Sequence, residues 1–388
     1  MNLQEVTTPQ HEKLFVKMAI SHYKGCKNWI RPIDQDIYNV FDKKKNKLFR
    51  DQKANAMRWL LMDNGKIIGR IAAFIHPKTS FRGSMNVGGI GFFECVDDQE
   101  AANLMFNASV EWLKAQGMEA IDGPINFGER NAFWGLLVHG FDIEPVYQMN
   151  YNYDYYQKLF EDFGFQLYFK QFSYGLPLFI DRPKKYQERA AIIRSNPRYS
   201  FRHVEKDKLD QYADDFYEIY NKAWSGHKGV PALSRKQAQM MMKKMKPMIV
   251  DYLMWFAYYD NEPAAMYINL PELNQYFKHV NGKIDLLGKL KILYHKLAKT
   301  NRKFYGIVFG VIPEQQAKGL DSAIIMAADD HIKQYPQWQD IELTWIGDFN
   351  PKMMRIAENL GSDVIKTHHT YRYLFDRNAE FERHPIIG

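Results

Sequence analysis

The stretch VIPEQQAKGLDSAII (311–325) joins a β-like run, FYGIVFGV (304–311), to a helical one, SAIIMAADDHIKQY (322–335). At the junction Gln316, Gly319 and Asp321 fall in the pattern Q-x-x-G-x-D. A helix start leaves backbone N–H groups unpaired and carries partial positive charge, so an anion there finds donors ready. Gly319 permits close approach and an unusual φ. The backbone N–H groups of Gln316, Ala317, Lys318, Gly319, Leu320, Asp321 and Ser322 are therefore candidates to hold a diphosphate, with Lys318 adding charge. Asp321 cuts both ways: its carboxylate suits the positive helix end but repels a phosphate unless it points aside. The alternative is a plain helix start with an acidic residue in its preferred place and no ligand.

The elements that must position this turn occur twice. In the first half, GGIGFFECV (88–96) reads as strand and DQEAANLMFNASVEWLKAQG (98–117) as a helix stopped by Gly117. EAIDGPINFG (119–128) reads as strand and turn, 153–164 as a helix ended by Gly164, and 165–179 as alternating strand. The second half repeats the order: strand 303–311, helix to about Tyr335, strand 340–347, helix 350–361 with Asn350 as N-cap, strand 362–375. Each set follows a β-hairpin, 58–77 turning at Asn64-Gly65 and 252–271 turning at Asp260-Asn261-Glu262. Helices are expected near 10–23, 208–224 and 234–246, and LLGKLKILYHKLAK within the insertion 272–300 is an amphipathic helix. The expected division is an N-terminal unit over 1–180, a charged linker over 181–198, and a C-terminal unit over 199–388.

A chain of 388 residues favours two cores over one, and 46% hydrophobic residues supply both. The net charge of +7 permits an anionic partner without requiring one. The basic runs KKKNK (43–47) and KKMK (243–246) are short and lack interleaved aromatics, which disfavours a nucleic-acid groove. Two isolated thiols, Cys26 and Cys95, make neither a disulfide framework nor a zinc site. No signal-peptide pattern opens the chain and no apolar run is long enough to span a bilayer, so a soluble cytoplasmic protein is expected.

The order helix, hairpin, strand, phosphate-type turn, helix, strand, helix, strand resembles the GNAT superfamily of acyl-CoA-dependent N-acyltransferases. Val311, Pro313, Gln316, Gly319 and Leu320 fall in register with that family's V-x-P-x-x-Q/R-x-x-G-x-G/A motif; Asp321 departs from it at the last small position. The resemblance implies a tandem α/β protein built from two mixed-sheet units, with acetyl-CoA or another acyl-CoA as co-substrate, a small-molecule or peptide amine as acceptor, and no metal. The first half's aligned turn, VDDQEAANL (96–104), has three carboxylates and no glycine, so the N-terminal unit reads as degenerate.

The resemblance further implies a carbonyl polarised by a strand backbone N–H near Val311 and a tyrosine that protonates the leaving thiolate. Tyr371 occupies that region, with Tyr373 as alternative. Glu342 and Asp348 are candidate bases, Glu94 stands where family members carry a strand glutamate, and Asn350 is a further coenzyme contact. His368 and His369 are adjacent on a strand and point to opposite faces, so they cannot act together. Arg130, Asn131 and Trp134, and the loop Ser225-Gly226-His227-Lys228-Gly229, are possible acceptor contacts. Two rivals stay open: a FemABX-like aminoacyl-tRNA-dependent transferase, and a non-catalytic ligand-binding or scaffold protein.

Overall fold

A computed structural model of the chain describes residues 1–81, 83–127, 132–224 and 232–387. The N-terminal half runs β1 (Asn2–Glu5), α1 (Pro9–His22), α2 (Asp34–Phe41), β2 (Asn55–Asp63), β3 (Lys66–Ile75), β4 (Val87–Cys95) and α3 (Gln99–Ala115). It continues through β5 (Ala120–Gly123), β6 (Leu136–His139), α4 (Tyr156–Phe163) and β7 (Gln166–Pro177). After α5 (Lys184–Arg194) the second half runs β8 (Tyr199–His203), α6 (Leu209–Trp224), α7 (Arg235–Met245), β9 (Met254–Tyr259), β10 (Glu262–Pro271), α8 (Asn274–Phe277) and α9 (Leu286–Leu297). Then come β11 (Lys303–Val311), α10 (Leu320–Ile332), β12 (Asp340–Gly347), α11 (Pro351–Asn359) and β13 (Asp363–Leu374).

Local chemistry accounts for most of these boundaries. Asn64 and Gly65 both take positive φ between β2 and β3, as do Asp260 and Asn261 between β9 and β10, which suits a tight hairpin. Helix α4 stops where Gly164 turns left-handed, and Asn350 caps α11 by accepting the Met353 N–H. Strand β5 is shorter than the sequence suggested because Pro124, just beyond it, has no N–H to extend the ladder.

Several elements were not foreseen, among them α2 and α5. The short helix α2 buries Ile37 and Phe41. The stretch expected to be linker holds α5, whose Tyr186, Ala190 and Ile193 form a buried stripe. Both Tyr186 and Ile193 join the core cluster that contains Leu320 and Ile324 of α10. That stripe is sparse in an otherwise charged segment, and α10 is its main partner.

The sheet crosses the boundary drawn at 181–198. Its strand order is β1-β2-β3-β4-β5-β13-β7-β12-β11-β10-β9-β8, with β6 also on β13. The last strand of each half is thus exchanged: β7 pairs with β12, and β13 lies between β5 and β7. The parallel pairs β4–β5 and β11–β12 stand on either side of this seam. Tyr174 and Tyr371, ten residues after Gly164 and Gly361, trade places: Tyr371 joins the N-terminal core, and Tyr174 packs with Ile346 and Ala357. No described helix is long and apolar enough to cross a membrane.

Candidate functional site

The turn after β11 places its backbone as the sequence suggested. Residues 313–315 make one short helical turn, and Gln316 donates its side-chain N–H to the Val311 carbonyl at 3.0 Å. Ala317 and Gly319 have φ of 59° and 94°, so two left-handed residues bend the chain into α10. No side chain caps this helix, and its first intrahelical bond runs from the Ala323 N–H to the Gly319 carbonyl at 3.1 Å. The amides of Leu320, Asp321 and Ser322 consequently have no acceptor within the helix. Helix α5 walls one side: a Cβ on Gly319 would sit 3.6 Å from the Arg189 carbonyl and from Ile193, and Tyr186 donates to the Asp321 carbonyl at 3.4 Å. Gln316, Ala317 and Lys318 are exposed; the Asp321 side chain is half-buried.

Beside the turn the sheet opens. Strands β11 and β12 pair only from Lys303–Gly306 to Asp340–Leu343, although both continue beyond. The register of β10 against β11 shifts so that Ile307 has no opposite residue. The resulting groove of about 510 Å³ is lined by Val308, Phe309, Leu343, Ile346, Met353 and Ile356, among others, with Tyr267 and Thr344 its only polar side chains among the described residues. No carboxylate or imidazole of the described residues lines it.

The structure does not gather the other candidate residues at this groove. Glu342 is buried and paired with Lys366 at 2.7 Å and Lys303 at 3.1 Å. Burial pushes its carboxyl up, but the two ammonium groups outweigh that and hold it below the ordinary value. Burial also lowers Lys366. Asp348 pairs with Arg383 of the C-terminal tail, and the Asn350 side chain is spent on its cap. Tyr371 donates to Glu161 at 2.9 Å within the N-terminal core, where burial raises its pKa first and Glu161 raises it further. The Tyr373 ring packs at a tilt against Phe163 and Phe165. His368 and His369 are both lowered to about 4 by burial. Trp134 donates to Thr370 at 3.0 Å, whereas Arg130, Asn131 and Ser225-Gly226-His227-Lys228-Gly229 lie outside the described residues.

A second cleft lies in the N-terminal half, and its polar cluster was not assembled from sequence. Glu94 on β4 accepts from Tyr23 at 2.5 Å, Tyr156 at 2.9 Å and Arg70 at 3.2 Å. Tyr156 also meets His22 Nε2 at 2.8 Å and accepts the Cys95 N–H at 3.0 Å. Burial lowers His22 and raises Tyr23 and Tyr156, with Glu94 adding to the rise in both tyrosines. Glu94, Arg70 and Tyr156 border a pocket of about 620 Å³ together with Tyr151 and Asn152. Arg70 meets Glu94 because the two residues face each other in the β3–β4 register. His22, Tyr23 and Tyr156 carried no local signal. The helix start in this half is closed: Asp98 accepts the Glu100 N–H at 2.8 Å and the Ala101 N–H at 3.3 Å. Among the described residues no group of three or more acidic, histidine or cysteine side chains could hold a metal.

This architecture is the tandem GNAT, or acyl-CoA N-acyltransferase, fold. A tandem GNAT protein from the clavulanic acid pathway matches 96% of this chain and 98% of its own with a TM-score of 0.55 at 8% identity. An N-acetyltransferase from Sphaerobacter thermophilus matches 98% of both chains with a TM-score of 0.51 at 9% identity. No family model matches the sequence. Among curated proteins, the "Bacterial ceramide synthase" of Caulobacter vibrioides is 27% identical over 372 residues, covering 94% of this chain and 95% of that one. "Protein YghO" of Escherichia coli is 23% identical over 376 residues, covering 92% of each.

Proposed function

We propose that the protein is an N-acyltransferase that moves a long-chain acyl group from acyl-CoA to the amine of a long-chain amino-alcohol lipid. The observation that carries this reading is the uncapped start of α10 opening beside an apolar groove. The amides of 320–322 and the exposed Lys318 suit the coenzyme's diphosphate. A groove lined by Val308, Phe309, Ile346 and Met353 suits a hydrocarbon better than a charged acceptor. The lipid acceptor is taken from the full-length similarity to the Caulobacter vibrioides protein, whose name denotes N-acylation of a sphingoid base.

The reaction forms a C–N bond as the amine attacks the thioester and the C–S bond breaks, and the amine's proton passes to the thiolate. It needs a polarised carbonyl and little covalent help from the protein. The backbone N–H of Ile307, which has no opposite residue in the β10–β11 register, is the candidate donor to that carbonyl. Incubation with a long-chain acyl-CoA and sphinganine, read by mass spectrometry, is expected to give the N-acyl product. Gly319→Glu is expected to weaken coenzyme-induced thermal stabilisation on the order of a hundredfold in affinity. Unaltered stabilisation in that variant would move the coenzyme elsewhere.

A second reading places the transfer in the N-terminal pocket, with Glu94 as base and Tyr156 as acid. The convergence of Glu94, Tyr156 and His22 favours it; the Asp98 cap opposes a diphosphate-anchored donor there. The clefts share no lining residue, and β13 and β7 stand between β5 and β12 in the sheet. Glu94→Gln tells the two apart. Turnover that survives within about tenfold supports the C-terminal groove, whereas a loss of 10²- to 10⁴-fold would assign the chemistry to the N-terminal pocket.

A further inference from the structure

Helix α9 exposes its apolar side. Leu286, Leu287, Leu290, Leu293, Tyr294 and Leu297 are between 49% and 76% exposed. Among the described residues, every leucine that ranks as an exposed large apolar side chain belongs to this helix. At about 100° per residue, those six side chains fall within an arc about 120° wide. The opposite side packs on the body. Gly288 is buried, Ile292 and His295 are half-buried, and the His295 ring stacks on His279 with centroids 3.7 Å apart. The leucines therefore point outward because the helix is seated on its small and histidine side.

Charge frames the arc. Lys291 lies on one flank and Lys289 and Lys296 on the other, with Lys283 and Lys299 at the two ends, all exposed. Asp285 is the only acidic residue from 283 to 299, and it caps the helix by accepting the Gly288 N–H at 2.8 Å. Lys296 also donates to the Pro247 carbonyl at 3.4 Å, so the end of α9 adjoins the end of α7, where Lys243, Lys244 and Lys246 are exposed. A solvated helix face carries no five leucines, and an interface between two copies of this chain would bring these lysines against their own counterparts. An apolar stripe between basic flanks matches the layered chemistry of an anionic bilayer surface: headgroup phosphates at the lysines, acyl chains at the leucines.

We infer that α9 is a membrane-docking helix that lies in the plane of an anionic lipid surface with its leucines inserted. The inference rests on α9 alone and goes beyond the proposed acyl transfer, although a lipid acceptor would be met at such a surface.

Co-sedimentation of the full chain with vesicles of phosphatidylcholine, with and without phosphatidylglycerol, tests it. Binding is expected on the anionic vesicles, weakened by salt, and poor on the neutral ones. Leu290→Glu combined with Leu293→Glu is expected to abolish binding without changing the melting temperature, since both side chains are exposed. Lys289→Glu, Lys291→Glu and Lys296→Glu together are expected to weaken it on the order of a hundredfold or more. Equal sedimentation of wild type and variants would overturn the proposal. So would light scattering that shows a wild-type dimer split by the leucine variant, which would make the face a contact between copies. Thermal shift with a soluble acyl-CoA, expected to be unchanged in both variants, reports separately on the coenzyme site.

Discussion

The two halves begin the same helix in opposite ways. At α3, Asp98 turns its carboxylate onto the amides of Glu100 and Ala101, so the positive helix end is neutralised from within the chain. At α10, two left-handed residues, Ala317 and Gly319, deliver the chain with no side-chain cap. The strands differ in the reverse sense. β4 carries Glu94 in a web of Arg70, Tyr23 and Tyr156, while the groove beside β11 is apolar. One half has spent its donors and buries an ion pair beside its cleft; the other leaves its helix start uncapped and lines its groove without a charged side chain. A repeated fold thus need not repeat a site.

The largest expected effect tests whether the N-terminal cluster is self-contained. Arg70→Met removes the cation from buried Glu94 and the donor that reaches the Phe15 carbonyl at 2.6 Å. It is expected to cost about 3–5 kcal/mol in denaturant unfolding while leaving acyl-CoA stabilisation of the remaining folded protein unchanged. Loss of coenzyme binding in that variant would mean that the two clefts are coupled.

The seam between the halves should be acid-sensitive. His368 on β13 is buried and held at about 4, against 6.5 for an ordinary histidine. Folded, it stays neutral where the unfolded chain binds a proton, so stability is fully present above pH 6.5 and falls as the pH drops toward 4. The contribution is at most roughly 3 kcal/mol. His369 acts in the same direction over the same range, and the depressed carboxyl of Glu342 adds its own loss only below its ordinary value of 4.5. Melting temperatures across this range should show the decline, and His368→Asn should flatten it. A profile identical to wild type would remove the histidine from the account.

The smallest effect concerns the cap. Asp98→Ala is expected to cost about 1 kcal/mol and to confer no coenzyme affinity on the N-terminal half, because Asp97 and Glu100 remain. A cost of only a few tenths would show that the amides of Glu100 and Ala101 have another acceptor.

Much of this was legible in the amino-acid order because it depends on neighbours. The positive φ at Asn64-Gly65 and at Gly319, the stops at Gly164 and Gly361, the cap at Asn350 and the amphipathic period of α9 are all decided within a few residues. The repeat of strand, helix, strand, helix, strand followed from them. The roles assigned to Tyr371, Glu342 and Asp348 depended on which strands lie side by side, and strand pairing carries no local signature. Tyr371 was read as belonging to the C-terminal half and sits in the N-terminal core; Glu342, read as a candidate base, lies between two lysines.

By itself, then, the sequence determined where most of the helices, strands and turns fall, including the left-handed Gly319 before α10. Only the tertiary structure decided that β7 and β13 change places, that α5 packs on α10, and that His22, Tyr23, Arg70 and Tyr156 meet around Glu94. The physical reason is range. Hydrogen bonds along a helix and the torsions of a turn are settled by adjacent residues, whereas the partner of a strand or of a buried charge is whichever distant segment best satisfies it.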